Sequence, residues 1–510
     1  MRRLIRLGFF AICALFALAS QAAEPMLWVH EHRPTRQAQE MRRALDDAEQ
    51  RGLEPASYRS SLSAAQLQAL TSGTADSALL DRYDRELSQL TSRFVTHLQF
   101  GRVSARAAGF DLPAVTAGTD STAAVQRLAH ADSIEVELTS LEPRPLPYRL
   151  LQEALARYRP LAQDRSLQPL PVFAGRSLQP GDEYVGAPQL RRQLALLGDL
   201  AASDSTATSA VLDAALVAAL QRFQDRHGLA ADGVLGRQTL AALNVPLRQR
   251  VRQIELSMER WRWLSVLPRP QLVINIPQFM LYALPRAARP DEPLLEMPVI
   301  VGRPGDRTPV FTATIEQVIF NPYWDVPASI LRKELLPKIR KDVRYLERNH
   351  FEIVRGGGDD ATVQPPTPAT IDALAAGELR LRQQPGPDNA LGPVKFVLPN
   401  PYSIRLHGTA EPGLFAASQR AFSHGCIRVS DPAALAQYVL VDAPGTWDSA
   451  TVEAALCGTR PRRVTLSAPV RVIVFYATAA ATVSRGVMFS PDLYGHDQRL
   501  EKLLAQSQRS

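Results

Sequence analysis

The residues with the most chemical potential stand close together: His407-Gly408-Thr409, then Ser423-His424-Gly425-Cys426-Ile427-Arg428. A nucleophilic cysteine needs a base to take the thiol proton, donors for the developing oxyanion, and room for a substrate. His407 is the candidate base and Cys426 the candidate nucleophile. Gly425, just ahead of the cysteine, lets the backbone turn sharply enough to aim the N–H groups of His424, Gly425 and Cys426 inward as an oxyanion cradle. Ser423 and His424 are read as shaping this loop. A zinc site built from His407, His424 and Cys426 would lack a fourth ligand at ordinary spacing. Each residue also has a structural alternative, a buried small thiol or a core imidazole.

Elements that would position these residues follow from local pattern. Asp431-Pro432-Ala433-Ala434-Leu435 offers an N-cap and a first-turn proline, predicting a helix from Pro432 to about Leu440. Cys426 would then lie in the loop feeding that helix's positive end. Ser403 to His407 alternates as a strand does. Leu272 to Ile276, Phe279 to Tyr282, Pro298 to Gly302, Phe311 to Phe320, Val394 to Leu398 and Val470 to Tyr476 read the same way, predicting a mostly antiparallel β domain. Between Pro327 and Leu391 the strand pattern stops. Ile330 to Tyr345 reads as helix, Gly356-Gly357-Gly358 as flexible and Gln364 to Pro368 as proline-rich, an insertion long enough to be functional rather than filler.

His-Gly-Thr followed by Ser-His-Gly-Cys-Ile-Arg resembles the signature of the L,D-transpeptidases with a YkuD-type catalytic domain. From about residue 37 to the C-terminus the chain is similar to the larger, YcbB-like members. The resemblance implies a cysteinyl thioester on peptidoglycan stem peptides, with release of D-Ala and formation of 3→3 cross-links. It makes Cys426 the nucleophile and His407 the base, its imidazole held by the Gly408 carbonyl. Gly408 stands where larger members often carry an acidic residue. Arg428 would pair with a substrate carboxylate or brace the loop, and Ser423 and Trp324 are further candidates for substrate contact. Trp324 lies in Asn321-Pro322-Tyr323-Trp324-Asp325-Val326-Pro327, which with Pro309 looks like a family landmark. The resemblance further implies that the insertion between Pro327 and Leu391 is a mobile helical lid, with its tip near Gly356-Gly357-Gly358. No metal or cofactor is called for. Rival readings are a carboxypeptidase or cysteine peptidase, attachment of a protein lysine to the wall, and a wall-binding scaffold without catalysis.

The remaining residues set the frame. With 510 residues the chain allows two to four domains and an ample core. Arg2, Arg3 and Arg6 precede an apolar run from Leu7 to Ala19, the pattern of a secretory signal over residues 1–23. Its loss would leave 55 basic against 51 acidic residues, a net charge of about +4. So mild a balance gives no reason to expect nucleic-acid binding. Export implies the periplasm, stem peptides as partners, other wall-synthesis enzymes as candidate partners, and membrane contact only through an uncleaved signal. Cys457 is read as a buried thiol rather than a disulfide partner of Cys426.

A multi-domain α+β chain results. A helical scaffold is expected at 24–186, with Leu80, Tyr83, Leu87, Leu90, Phe94 and Leu98 forming one apolar stripe. A three-helix unit resembling a peptidoglycan-binding domain follows at 187–246, carrying Leu220-Gln221-Arg222-Phe223-Gln224, His227-Gly228-Leu229 and Asp232-Gly233. An amphipathic connector helix is expected at 247–268. The catalytic domain spans 269–480 with its lid at about 327–391, and a strand and helix at 481–510 complete the fold.

Overall fold

The computed structural model describes residues 26–113, 121–265, 267–286 and 294–507. The expected signal segment, 1–23, lies outside the described residues. No described helix is long and apolar enough to cross a membrane.

The N-terminal part is helical because its sequence caps and stripes helices cleanly. Helix Ser77–Phe100 opens on Asp76, whose carboxylate accepts from the Leu79 N–H at 2.8 Å, and stops at Gly101 in a positive-φ conformation. Its predicted stripe is the buried one, and with Trp28, Met41 and Leu128 it forms a core of its own. The next unit has helices Ala187–Leu197, Ala214–Arg226 and Arg237–Leu243, with Leu216, Leu220 and Phe223 inward.

Helix Leu247–Arg262 joins these units to the rest. Its sequence reads as amphipathic, yet Glu259, Arg260 and Arg262 are buried along with Ile254, Met258 and Trp261. Burial is tolerated because the charges are paired. Arg260 meets Asp497 at 2.6 Å, and Arg262 meets Glu259 at 3.2 Å. Glu259 also accepts from the Val103 N–H at 3.0 Å, and the Trp263 indole donates to the Val103 carbonyl at 2.6 Å. The helix is thus an axis clasped by the scaffold on one side and by helix His496–Ser507 on another.

Nine strands of the C-terminal part form one mixed sheet among the described residues. Strand Leu295–Gly302 pairs with Met280–Ala283 along its first half and with Ile427–Val429 and Ala421–Ser423 along its second. That double pairing closes the sheet on itself. Most neighbours are antiparallel, but Leu406–His407 runs parallel to Ile427–Val429 and Arg462–Phe475 runs parallel to Leu272–Asn275. The alternation has a simple consequence. Val394, Phe396, Leu406, Ile427 and Val429 enter the main core, so Lys395, His407 and Arg428, in register across three strands, line the opposite face.

The lid is not wholly helical. Helical turns from Ala328 to Lys341 and helix Pro368–Ala376 pack on a four-stranded sheet ordered Thr362–Gln364, Phe351–Arg355, Arg380–Gln383, Trp324–Asp325. Phe351 and Ile353 alternate inward, as do Leu379 and Leu381, around a separate apolar core with Leu335, Ile339 and Leu374. These strands are short, and their outward positions carry long charged side chains, so the period-two signal is faint between the glycine and proline runs. A π turn at Leu331–Leu335 precedes Pro337. Proline has no N–H to donate and its ring crowds the carbonyl four residues back, which widens the preceding turn.

Candidate active site

The candidate base, His407, comes from strand Leu406–His407, which is paired on both edges. His407 is 5% exposed. Its Nδ1 lies 2.7 Å from the Gly408 carbonyl oxygen. A carbonyl only accepts, so Nδ1 carries the hydrogen and Nε2 keeps the lone pair. Burial, then the Arg428 guanidinium, push the imidazole down to about 3, while the bond to Gly408 opposes them. The ring is therefore neutral near pH 7, in the tautomer a base requires. Gly392 closes this corner: a Cβ there would sit 2.3 Å from the Thr409 nitrogen, and its φ is +62°. Only glycine fits.

The candidate nucleophile, Cys426, directly precedes the neighbouring parallel strand Ile427–Val429. Ile427 pairs with Leu406, and its N–H donates to the Arg405 carbonyl at 2.8 Å. Cys426 comes one residue earlier, in the loop that leads into this strand. It is a free, partly exposed thiol. Gly425 ahead of it has φ +107°, and an added Cβ would press on Ile404 Cδ1 at 3.2 Å. Helix Pro432–Leu440 has the predicted bounds, with Asp431 capping the Ala434 N–H at 2.8 Å. The strand Ile427–Val429 intervenes, however. Three extended residues carry the chain roughly 10 Å, beyond the first turn over which a helix end acts, so the expected dipole assistance to the thiol does not apply.

Two hydroxyls fix the loop. Ser423, 3% exposed, donates to the Cys426 carbonyl at 2.5 Å and accepts from the Gly425 N–H at 3.1 Å. Ser423 is thus a brace, and the Gly425 N–H is engaged in this state, leaving the His424 and Cys426 amides as the oxyanion candidates. Thr308, 1% exposed, donates to the Gly425 carbonyl at 2.8 Å and accepts from the Gly302 N–H at 2.9 Å. Tyr494 donates to the Gly302 carbonyl at 2.5 Å and accepts from the Thr308 N–H at 3.2 Å. Its own N–H donates to the Tyr476 hydroxyl at 2.9 Å. Sequence reasoning singled out Pro309 but missed Thr308 beside it, and assigned Tyr494 nothing. A threonine next to that landmark proline was the available signal.

The other candidates disperse. Arg428 pairs with Glu411 at 2.9 Å, so it braces the segment after His407. His424 Nε2 lies 3.0 Å from a Glu334 carboxylate oxygen, a contact between the nucleophile loop and the lid. Trp324 packs on the lid core, 6.1 Å from the Phe351 ring. The glycine tip turns away from the thiol: in the 356–360 loop, Asp359 clamps Arg463 of the catalytic sheet at 2.8 Å. Cys457 is exposed and free, at the end of helix Ser449–Leu456, against the expected buried thiol. The helix buries Val452 and Ala455, and its last turn delivers residue 457 to the solvent side.

Comparison with known families is informative at this point. The L,D-transpeptidase catalytic domain family (YkuD) matches residues 269–458. A scaffold domain family matches 20–155, and a family described as "Putative peptidoglycan binding domain" matches 186–243. A Haemophilus influenzae protein named "Putative L,D-transpeptidase" is 31% identical over 289 residues, 54% of this chain. The chain spans 55% of that relative's length.

Proposed function

The chain carries an L,D-transpeptidase catalytic domain behind a scaffold domain and a peptidoglycan-binding domain, and from that premise we propose that it forms 3→3 cross-links between peptidoglycan stem peptides. The observation that supports this most is the state of His407, whose Nδ1 is tied to the Gly408 carbonyl at 2.7 Å, on a strand paired with the one that follows Cys426. In this reading Nε2 takes the thiol proton as sulfur attacks the carbonyl preceding the terminal D-Ala of a tetrapeptide stem. A C–S bond forms, the C–N bond breaks, and the proton leaves on the D-Ala amine. A side-chain amine of a second stem then attacks the thioester. Its proton passes to His407 and on to the departing thiolate. The imidazolium is disfavoured in so buried a site, so it exists only while the oxyanion offsets its charge. The His424 and Cys426 amides would hold that oxyanion. The work site would be the cell wall in the periplasm, with the peptidoglycan-binding domain holding or orienting the enzyme there.

Product analysis tests the reading. With a tetrapeptide-stem muropeptide, the protein should release D-Ala and build a cross-linked dimer, and Cys426→Ala should do neither. Tripeptide without dimer would mean a carboxypeptidase instead. Wall binding without either product would leave a non-catalytic scaffold.

A further inference from the structure

The face that carries His407 also carries two cations, Lys395 and Arg405, that form no ion pair with a carboxylate among the described residues. Lys395 is the direct cross-strand partner of His407, on the side away from Cys426. It is half-buried, and among the described residues no ion pair or hydrogen bond engages its ammonium. Arg405, two residues before His407, shares the face because Ile404 and Leu406 enter the core. Its guanidinium reaches only a backbone oxygen, the Asp325 carbonyl, at 3.4 Å.

Two carboxylates lie near, and both are already claimed. Asp325 pairs with Arg380 at 2.6 Å, and Asp359 pairs with Arg463 at 2.8 Å. Arg428, the next cation along the row, is held by Glu411. Counted by pairs, the seam between lid and catalytic sheet retains two positive charges, Lys395 and Arg405. Burial, followed by the repulsion of Arg405, holds the Lys395 ammonium below the usual lysine range. An isolated ammonium half out of water, beside a guanidinium, is costly without an anion. A structural lysine would have been given one of the two aspartates.

Resting on the stem-peptide reading above, we propose that Lys395 and Arg405 form an anion subsite that takes one carboxylate of the donor stem, with Arg405 directly beside the nucleophile strand and Lys395 roughly two strand spacings or 10 Å from it. A fork and an ammonium suit a planar carboxylate, and the lid bearing Asp325 and Asp359 forms its outer wall. Two carboxylates of the donor have this chemistry: the one ending D-Ala and the one on the diaminopimelate side chain.

The test uses three donors: the unmodified tetrapeptide stem, the stem amidated at the D-Ala terminus, and the stem amidated at the diaminopimelate side-chain carboxylate. Each is given to the full-length protein, to Lys395→Gln and to Lys395→Arg, with KM and kcat measured separately. For the parent, one of the two amidations should raise KM about tenfold or more with kcat little changed, which identifies the carboxylate. Lys395→Gln should raise KM for the unmodified donor by a similar factor and be indifferent to that amidation, while Lys395→Arg should keep the discrimination. If Lys395→Gln still discriminates as the parent does, or if neither amidation affects the parent, the subsite is wrong and the function stands. If the parent turns over none of the three donors, the function reading falls and the subsite with it.

Discussion

The catalytic face and the lid are built on opposite terms. His407 and the loop of Cys426 are seated on a closed sheet whose other face is the main core, and their polar atoms are tied to buried groups. The segment expected to be a lid has a small core of its own, and its side-chain ties to the sheet and the loop are exposed ones, Glu334 to His424 and Asp359 to Arg463. Chemistry that tolerates little misplacement has been given to the rigid part. The expected lid is held to that part by exposed contacts, of a kind that contributes about 0–1 kcal/mol each.

Removing the base should break the comparison most severely. His407→Gln keeps a polar side chain in the strand but no lone pair of comparable basicity at Nε2, and acylation of Cys426 should slow by about 10²–10⁴-fold. A stopped-flow or quenched-flow acylation rate checks it, and a loss under threefold would mean another group takes the proton. Next comes the brace. Thr308→Val leaves the Gly425 carbonyl and the Gly302 N–H without their buried partner, a cost of about 1–3 kcal/mol that should appear as a roughly tenfold or greater drop in kcat. Thr308→Ser should restore most of it, which separates hydroxyl loss from altered packing.

Lid contact should count for less. Glu334→Gln alters one exposed contact and should change KM less than about fivefold. A large kcat effect would mean that Glu334 belongs to the machinery rather than the door. The smallest signal is in pH. His407 is held to about 3, and burial holds His97 and His496 to about 4. Each binds a proton in the unfolded chain near pH 6.5 but not in the folded one. Their contribution to stability is therefore complete above about pH 6.5 and is lost as pH falls toward those folded values. Imidazole NMR shifts of His407 should stay flat from pH 8 to 5 with the Nδ1–H signature, and a midpoint near 6.5 would refute its burial.

Legibility in the sequence followed the range of the interactions. Helix Pro432–Leu440 and the scaffold stripe were readable because each is written within a few neighbouring residues, as is the motif that makes Cys426 and His407 candidates. The Thr308–Tyr494 bond spans 186 positions, and no local pattern announces it. Helix Leu247–Arg262 reads as half exposed because its partners, Asp497 among them, lie far along the chain. The lid strands were lost for another reason: short strands that interleave Glu352, Arg380 and Arg382 with their apolar residues carry little hydrophobic alternation. Lys395 was legible as a strand residue but not as a site, since its isolation depends on which acids the neighbouring arginines have already taken.

The central claim is that Cys426 is the acylated residue. Intact mass followed by peptide mapping, after brief exposure to a tetrapeptide-stem muropeptide, tests it most directly. The account predicts one adduct, equal to the stem less D-Ala, on the peptide holding Cys426, and no adduct on Cys426→Ala. An adduct mapped to Cys457, or one that survives in Cys426→Ala, would contradict it.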